Sequence, residues 1–208
     1  MVEQQQTIPI KIIMVGAMNV GKTSLVTKYA TGKIPGQTKT TKNASYVSKY
    51  KKINTLNFEI KLWDTAGQEK YKSLTKLFTK DAKIAILVYS IDSEESFNSL
   101  DDWLKLVKST NEDNLILGVA GNKSDLASDK TINNQRGEEY AKKIGALFKP
   151  TSALVENGGI EEFIDELFQK YYSTSFNYYD TINTINCIIS LESSRVKNRR
   201  CCGGREKY

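Results

Sequence analysis

The sequence predicts an α/β protein: a doubly wound, six-stranded, mostly parallel sheet with one antiparallel edge strand and helices on both faces. Three observations carry this. Short apolar runs at 10–15, 84–90 and 115–120 alternate with segments whose apolar residues fall at helical spacing. That is the pattern of a sheet covered on both sides. Two strand-like runs near 46–50 and 56–63 follow one another across a polar Lys51-Lys-Ile-Asn54 turn, as in an antiparallel hairpin. The first apolar run leads directly into Gly16-Ala-Met-Asn-Val-Gly21-Lys22-Thr23, a glycine turn that opens a helix.

The elements follow in order. Leu25, Val26 and Tyr29 give the first helix its apolar stripe. The loop from 32 to about 43 is rich in Thr, Lys and Gln and has no periodicity. The hairpin comes next. Residues 84–90 are continuously apolar, as in a central strand buried on both faces. Phe97, Leu100, Leu104 and Val107 are spaced for one helix, and 115–120 for another buried strand. Tyr140, Ala141 and Ile144 mark a helix, 148–151 a short strand, and Ile160, Phe163, Ile164, Leu167 and Phe168 a last helix ending near Tyr172. The chain of 208 residues holds one such domain, at 8–172, between a flexible start at 1–7 and a polar, mainly disordered tail at 173–208.

Composition excludes several classes. No apolar run approaches the ~20 residues of a membrane span, and the polar N-terminus is no signal peptide. The expected location is therefore cytosolic. The three cysteines all lie in the tail, which argues against a disulfide framework. There is no histidine, so chemistry must rest on carboxylates, amides, lysines, a bound metal or the backbone. The net charge is +6, and part of the excess is the tail cluster Arg195, Lys197, Arg199, Arg200, Arg205 and Lys207. Basic residues there, without a basic face carrying interleaved aromatics, point to an anionic membrane surface and not to nucleic acid.

The chemistry sits in loops after the strands. Residues Gly16 to Ser24 fit the phosphate-binding P-loop: backbone N–H groups of Met18, Asn19, Val20, Gly21 and their neighbours converge with the positive end of a helix. Lys22 reaches the β/γ-phosphates of a nucleotide and the Thr23 hydroxyl ligates Mg²⁺. In Trp63-Asp64-Thr-Ala-Gly67-Gln68-Glu69, Asp64 holds Mg²⁺, the Gly67 N–H bonds a γ-phosphate, and Gln68 orients a water for in-line attack. In Asn122-Lys123-Ser124-Asp125, the Asp125 carboxylate accepts the N1–H and 2-amino group of guanine, a donor pair adenine lacks, so it selects GTP over ATP. Lys123 lies along the base plane and Asn122 ties this loop to the P-loop. In Thr151-Ser152-Ala153-Leu154 a backbone N–H, that of Ala153, meets the guanine O6. Each motif alone is also a common turn; the four in order are far more specific.

Together they resemble the small GTPases of the Ras superfamily, and within it the Rab family. Trp63-Asp-Thr-Ala-Gly-Gln-Glu-Lys-Tyr71 is similar to W-D-T-A-G-Q-E-R-F, and Leu87-Val-Tyr-Ser-Ile-Asp92 to L-V-Y-D-I-T. Cys201-Cys202 resembles the paired prenylation site. The resemblance implies the P-loop NTPase fold of a small-GTPase G domain, binding GTP or GDP with Mg²⁺ and hydrolysing GTP slowly as a monomer. It implies an exchange factor, a GTPase-activating protein, effectors that read loops at about 36–46 and 66–78, and a GDP-dissociation inhibitor or escort protein. It also implies lipid attachment at Cys201 and Cys202 and vesicle-targeting work on the cytosolic face of an endomembrane. Ala44-Ser45-Tyr46 is similar to endosomal members. By the family's spacing, Ile34 covers the guanine face and Thr41, seven residues on, binds Mg²⁺; Thr38 and Thr40 compete for that role.

The departures also carry expectations. Ile34 replaces an aromatic, which predicts faster nucleotide exchange. Lys42-Asn43 replaces I-G in the effector loop. Met18 stands where relatives carry a small residue, so crowding near Gln68 predicts slow hydrolysis. Leu154 replaces lysine where the contact is from the backbone. Six residues follow the cysteine pair. Two other readings stay open at this stage: a GTP-bound scaffold that does not hydrolyse, and a P-loop ATPase or kinase.

Overall fold

A computed structural model describes residues 7–36, 41, 44–65, 77–111, 114–128 and 131–176. It divides into a compact unit, Met1–Phe168, and a second unit, Gln169–Tyr208, whose described residues end at 176. The strands are β1 (Thr7–Val15), β2 (Ser45–Ile53), β3 (Leu56–Asp64), β4 (Ile84–Ser90), β5 (Ile116–Asn122) and β6 (Leu147–Pro150). They form one sheet in the order β2-β3-β1-β4-β5-β6, with β2 antiparallel to β3 and the remaining pairs parallel. The helices are α1 (Lys22–Thr31), α2 (Glu94–Asn98), α3 (Leu100–Lys108), α4 (Asn134–Ile144) and α5 (Ile160–Ser175).

Every residue of β4 and β5 is buried, which explains their unbroken apolar runs. One face of the sheet packs Ile13, Val15, Leu87, Tyr89 and Val119 with Phe97, Leu100, Trp103 and Ala141 from α2, α3 and α4. The opposite face carries Phe163 and Leu167 of α5, so close that a methyl group at Gly118 would lie 2.8 Å from the Phe163 ring. Phe58 meets Phe168 edge-on, with ring centroids 5.2 Å apart. Chain order reverses at β1, which has β3 on one side and β4 on the other. That reversal opens a crevice beyond the carboxyl ends of the strands, where doubly wound sheets bind ligands.

β5 and β6 differ by one or two residues from the sequence expectation, and four other departures are larger. The turn at 51–54 is instead strand up to Ile53, and only Asn54-Thr55 connect Ile53 to Leu56, with Asn54 at φ 53°. Lys51 and Lys52 stay in the strand because the ladder continues through them, opposite Phe58 and Asn57, and Lys51 also pairs with Asp165 of α5 at 2.6 Å. β1 begins at Thr7, within the segment expected to be flexible, because Thr7–Pro9 pair with Asn57–Glu59. Pro9 is tolerated there because β1 has a neighbour on one side only at that point. The single helix expected around 97–107 is two, α2 and α3, meeting at Ser99, whose hydroxyl donates to Ser96 O at 2.8 Å. α5 continues to Ser175, beyond the Tyr172 expected. Among the described residues no helix is long and apolar enough to cross a membrane.

Candidate functional site

The P-loop spans the gap between β1 and α1. Gly16 takes φ 152° where β1 passes β4, and a Cβ there would lie 2.1 Å from Val88 O. No other residue fits. Gly21 caps α1 at φ 92°, and its Cβ would lie 2.4 Å from the Asn122 amide nitrogen. Asn19 also has positive φ, 64°. Val20 is buried, Ser24 is half-buried in the first turn of α1, and Met18 stands 47% exposed on the loop. Lys22 turns back under the loop and donates from Nζ to Gly16 O and Ala17 O, at 2.9 Å each. Burial lowers its pKa to about 8, against the opposing pull of Asp64. A phosphate beside this ammonium would favour its charged form and raise the pKa again.

Beside Lys22 lies a knot of oxygens. Thr23 Oγ1 donates to Asp64 Oδ2 at 2.7 Å, and Thr41 Oγ1 donates to the same oxygen at 3.2 Å. The two hydroxyls are 2.6 Å apart; each has one proton, so Thr41 divides its own between Thr23 Oγ1 and the more distant Asp64 Oδ2. Asp64 ends β3 opposite Met14, and the next hydroxyl, Thr65 Oγ1, donates to Met14 O at 2.6 Å, which locks the strand end to β1. Burial raises the Asp64 pKa, while the Thr23 hydroxyl, Lys22 and Thr41 oppose that. Its Oδ1 is buried without a hydrogen-bond partner among the described residues. Two hydroxyls and a carboxylate with an unfilled oxygen are the donor chemistry of a hard cation, and they fit Mg²⁺. Among the described residues no cluster of His, Cys, Asp or Glu offers another metal site. Thr41 reaches this knot; Thr38 and Thr40 lie outside the described residues, as do Gly67, Gln68 and Lys42-Asn43.

A third group converges on the P-loop from β5 and β6. Asn122 is the last residue of β5, buried, and its Nδ2 donates to Val20 O at 2.7 Å. Its Oδ1 accepts from the Thr151 hydroxyl at 3.3 Å. Ser124 N–H donates to Thr151 O at 3.0 Å, so the loops after β5 and β6 are stitched together. The Ser152 hydroxyl donates to Asp125 Oδ1 and accepts from Leu154 N–H at 3.1 Å. Ser152 N–H donates to Gly158 O at 2.9 Å, and a Cβ at Gly158 would fall 1.8 Å from Ser152 O. Asp125 is exposed at the mouth, Ala153 is buried below it, and Leu154 is exposed. Lys123 adopts φ 63° and pairs with Asp92 at 3.3 Å. The Ser90 hydroxyl, then Lys123, hold the Asp92 carboxyl below the usual carboxylate range. Ile34 is 54% exposed after α1.

The structure thus brings Gly16–Ser24, Thr41, Asp64, Asn122–Asp125 and Ser152–Leu154 to one end of the sheet. Sequence reasoning missed two features. One is the role of Asp92, an acid in the turn that follows the apolar strand β4. The other is an aromatic row: Tyr46 lies 4.8 Å from Trp63 and Trp63 stacks 6.2 Å from Phe78, with Lys11 Nζ 4.8 Å from the Trp63 ring centre. Tyr46 and Trp63 are direct cross-strand partners. The alternation of β2 and β3 could have revealed that pair, but Phe78 required the fold.

Comparison with known sequences agrees with this geometry. The sequence model of the Ras family matches residues 11–173. Ras-related protein Rab-21 of Geodia cydonium is 37% identical over 162 residues, 78% of this chain and 71% of its own. Rab-21 of Homo sapiens is 36% identical over 165 residues, 79% of this chain and 73% of its own. Ras-related protein Rab-5A of Dictyostelium discoideum is 33% identical over 155 residues, 74% and 77% of the two chains.

Proposed function

This chain belongs to the Rab branch of the Ras family, small GTPases that hydrolyse GTP, and we propose that it is a guanine-nucleotide switch of vesicle trafficking. The single observation that carries the reading is the Thr23–Thr41–Asp64 knot. It joins the P-loop, the loop before β2 and the end of β3 through one set of oxygens. A ligand that bridges this point holds the two loops at 36–46 and 66–78 in one arrangement; its loss releases them.

Each residue has a task. The P-loop amides and the Lys22 ammonium bind the β/γ-phosphates and stabilise the charge that develops on them. Asp125, set by the Ser152 hydroxyl, accepts the guanine N1–H and 2-amino group, and an ATP base would leave that carboxylate unpaired. The Ala153 N–H serves the guanine O6. Gln68 positions the attacking water, and Gly67 N–H bonds the γ-phosphate. Thr23, Thr41 and Asp64 would hold Mg²⁺, which when bound neutralises charge on the phosphate oxygens. Thr41 and Gly67 each lose a partner when the γ-phosphate leaves.

Around this core the reading assigns partners. The aromatic row Tyr46–Trp63–Phe78 joins β2 and β3 to the last residue of the 66–78 segment and forms the constant part of an effector surface. An exchange factor and a GTPase-activating protein reset and speed the switch, and an escort protein or GDP-dissociation inhibitor covers the lipid. Lipid on Cys201 and Cys202, beside the basic tail, supplies the two signals that stable anchoring on an endosomal membrane requires. Limited trypsin digestion tests the switch. Lys39, Lys42, Lys70, Lys72 and Lys76 lie in the two loops, so cleavage there is slower with a non-hydrolysable GTP analogue than with GDP. Equal cleavage in both states contradicts the proposal.

A further inference from the structure

Where the pattern L-V-Y-D-I-T has its acid in fourth place, this chain has Ser90, and an acid stands two residues later at Asp92. The exchange takes a charge from a buried strand end to the mouth of the base-binding loop. Ser90 ends β4, is 1% exposed, and pairs in register with Asn122. Backbone bonds fix the turn that follows. Ile91 N–H donates to Asn122 O at 3.0 Å, Ser93 N–H to Ser90 O at 2.9 Å, and Ile91 O accepts from Ile132 N–H at 2.8 Å. On this turn the Ser90 hydroxyl donates to Asp92 Oδ1. Lys123 Nζ lies 3.3 Å from Asp92 Oδ2 and 3.5 Å from Oδ1. The two side chains are 33% and 38% exposed, so neither is freely solvated.

We propose that Asp92 is a positioning residue for Lys123: its carboxylate, aimed by Ser90, holds the lysine side chain where it lines the guanine base. The inference rests on the reading of Lys123 as base-lining. A free lysine stem samples many rotamers, and ordering it on binding costs affinity; a tether that orders it beforehand removes that cost. A plain surface ion pair would do nothing of the kind.

A double-mutant cycle on the full chain tests it, with release of fluorescently labelled GDP as the readout. Asp92→Asn speeds release about three- to five-fold, the size a partly exposed pair supports. Lys123→Met speeds it further, the double variant matches Lys123→Met alone, and Asp92→Glu restores most of the slow release. Ser90→Ala, which keeps both charges and removes only the aiming hydroxyl, gives a smaller shift in the same direction. An unchanged rate in Asp92→Asn beside a responsive Lys123→Met overturns the proposal and leaves the role of Lys123 standing. An equal effect of Asp92→Asn in the Lys123→Met background overturns it too, since the acid would then act only on the turn. A wild-type rate in Lys123→Met overturns the base-lining reading and the proposal with it.

Discussion

Replacing Asn122 by alanine removes one side chain that holds three loops. Its Nδ2 donates to Val20 O at 2.7 Å, and its Oδ1 accepts from Thr151 at 3.3 Å. Asn122 is 1% exposed and Thr151 fully buried, so water does not readily replace the lost partners. Leaving a buried polar group unpaired costs about 1–3 kcal/mol, and the 3.3 Å bond is the weaker of the two. The sum is roughly 2–4 kcal/mol. For a domain of this size a kcal/mol moves the melting temperature by about 2–4 °C, so the expected fall is roughly 5–15 °C. The same change frees the P-loop backbone at Gly21, which now lies against the Asn122 amide. GDP release should therefore rise about tenfold or more, because the loop is no longer ordered before the phosphates arrive. The assay is thermal unfolding at one fixed GDP concentration, since bound ligand shifts apparent stability, together with release of labelled GDP. A melting point within 2 °C of wild type and unchanged release would refute the reasoning.

Four other outcomes follow from the same geometry. Met18→Gly speeds single-turnover hydrolysis several-fold if crowding at the γ-phosphate slows it; an unchanged rate removes that steric argument. Gly158→Ala forces a Cβ to within 1.8 Å of Ser152 O, so the loop must shift at a cost of about 1–3 kcal/mol, read as faster guanine-nucleotide release and a lower melting point. Excess ATP fails to displace bound GTP, and Asp125→Ala erases that discrimination; displacement by ATP in wild type contradicts the role of Asp125. The nucleotide-free protein carries Lys22 with a pKa lowered to about 8 from 10.5. The penalty is complete below pH 8 and fades between pH 8 and 10.5, where the unfolded chain binds the extra proton, so stability rises with pH across that window. Nucleotide binding near pH 9 then takes up a proton, seen by calorimetry in buffers of different ionisation heat. No uptake contradicts the placement of Lys22 under the phosphates.

The sheet was legible because its code is local. Unbroken apolar runs marked β4 and β5, which are buried throughout, and the glycine turn after β1 fixed where the crevice opens. The P-loop residues could be named because backbone geometry demands glycine at 16 and 21. What the sequence hid depends on distant partners. Lys51 and Lys52 read as a turn, yet Lys51 stays in β2 because Asp165 lies across from it on α5. Stripe spacing runs unbroken from Phe97 to Val107, while the helix ends and restarts at Ser99 through hydroxyl bonds that periodicity does not record. Thr41 could be chosen over its neighbours only by family spacing; its distance to Thr23 and Asp64 is a tertiary fact. Asp92 was legible only as the end of the Leu87–Asp92 motif, because its role needs Lys123 beside it, 31 residues later.

A GTP-hydrolysing switch of this kind depends on Gln68 to position the attacking water. A single-turnover assay on purified protein with GTP and Mg²⁺, beside Gln68→Leu, tests it most directly. Wild type should convert GTP slowly to GDP and the variant at least ~10-fold more slowly, with GTP binding retained in both. Equal rates in the two proteins, or tight GTP binding with no hydrolysis in either, would contradict it.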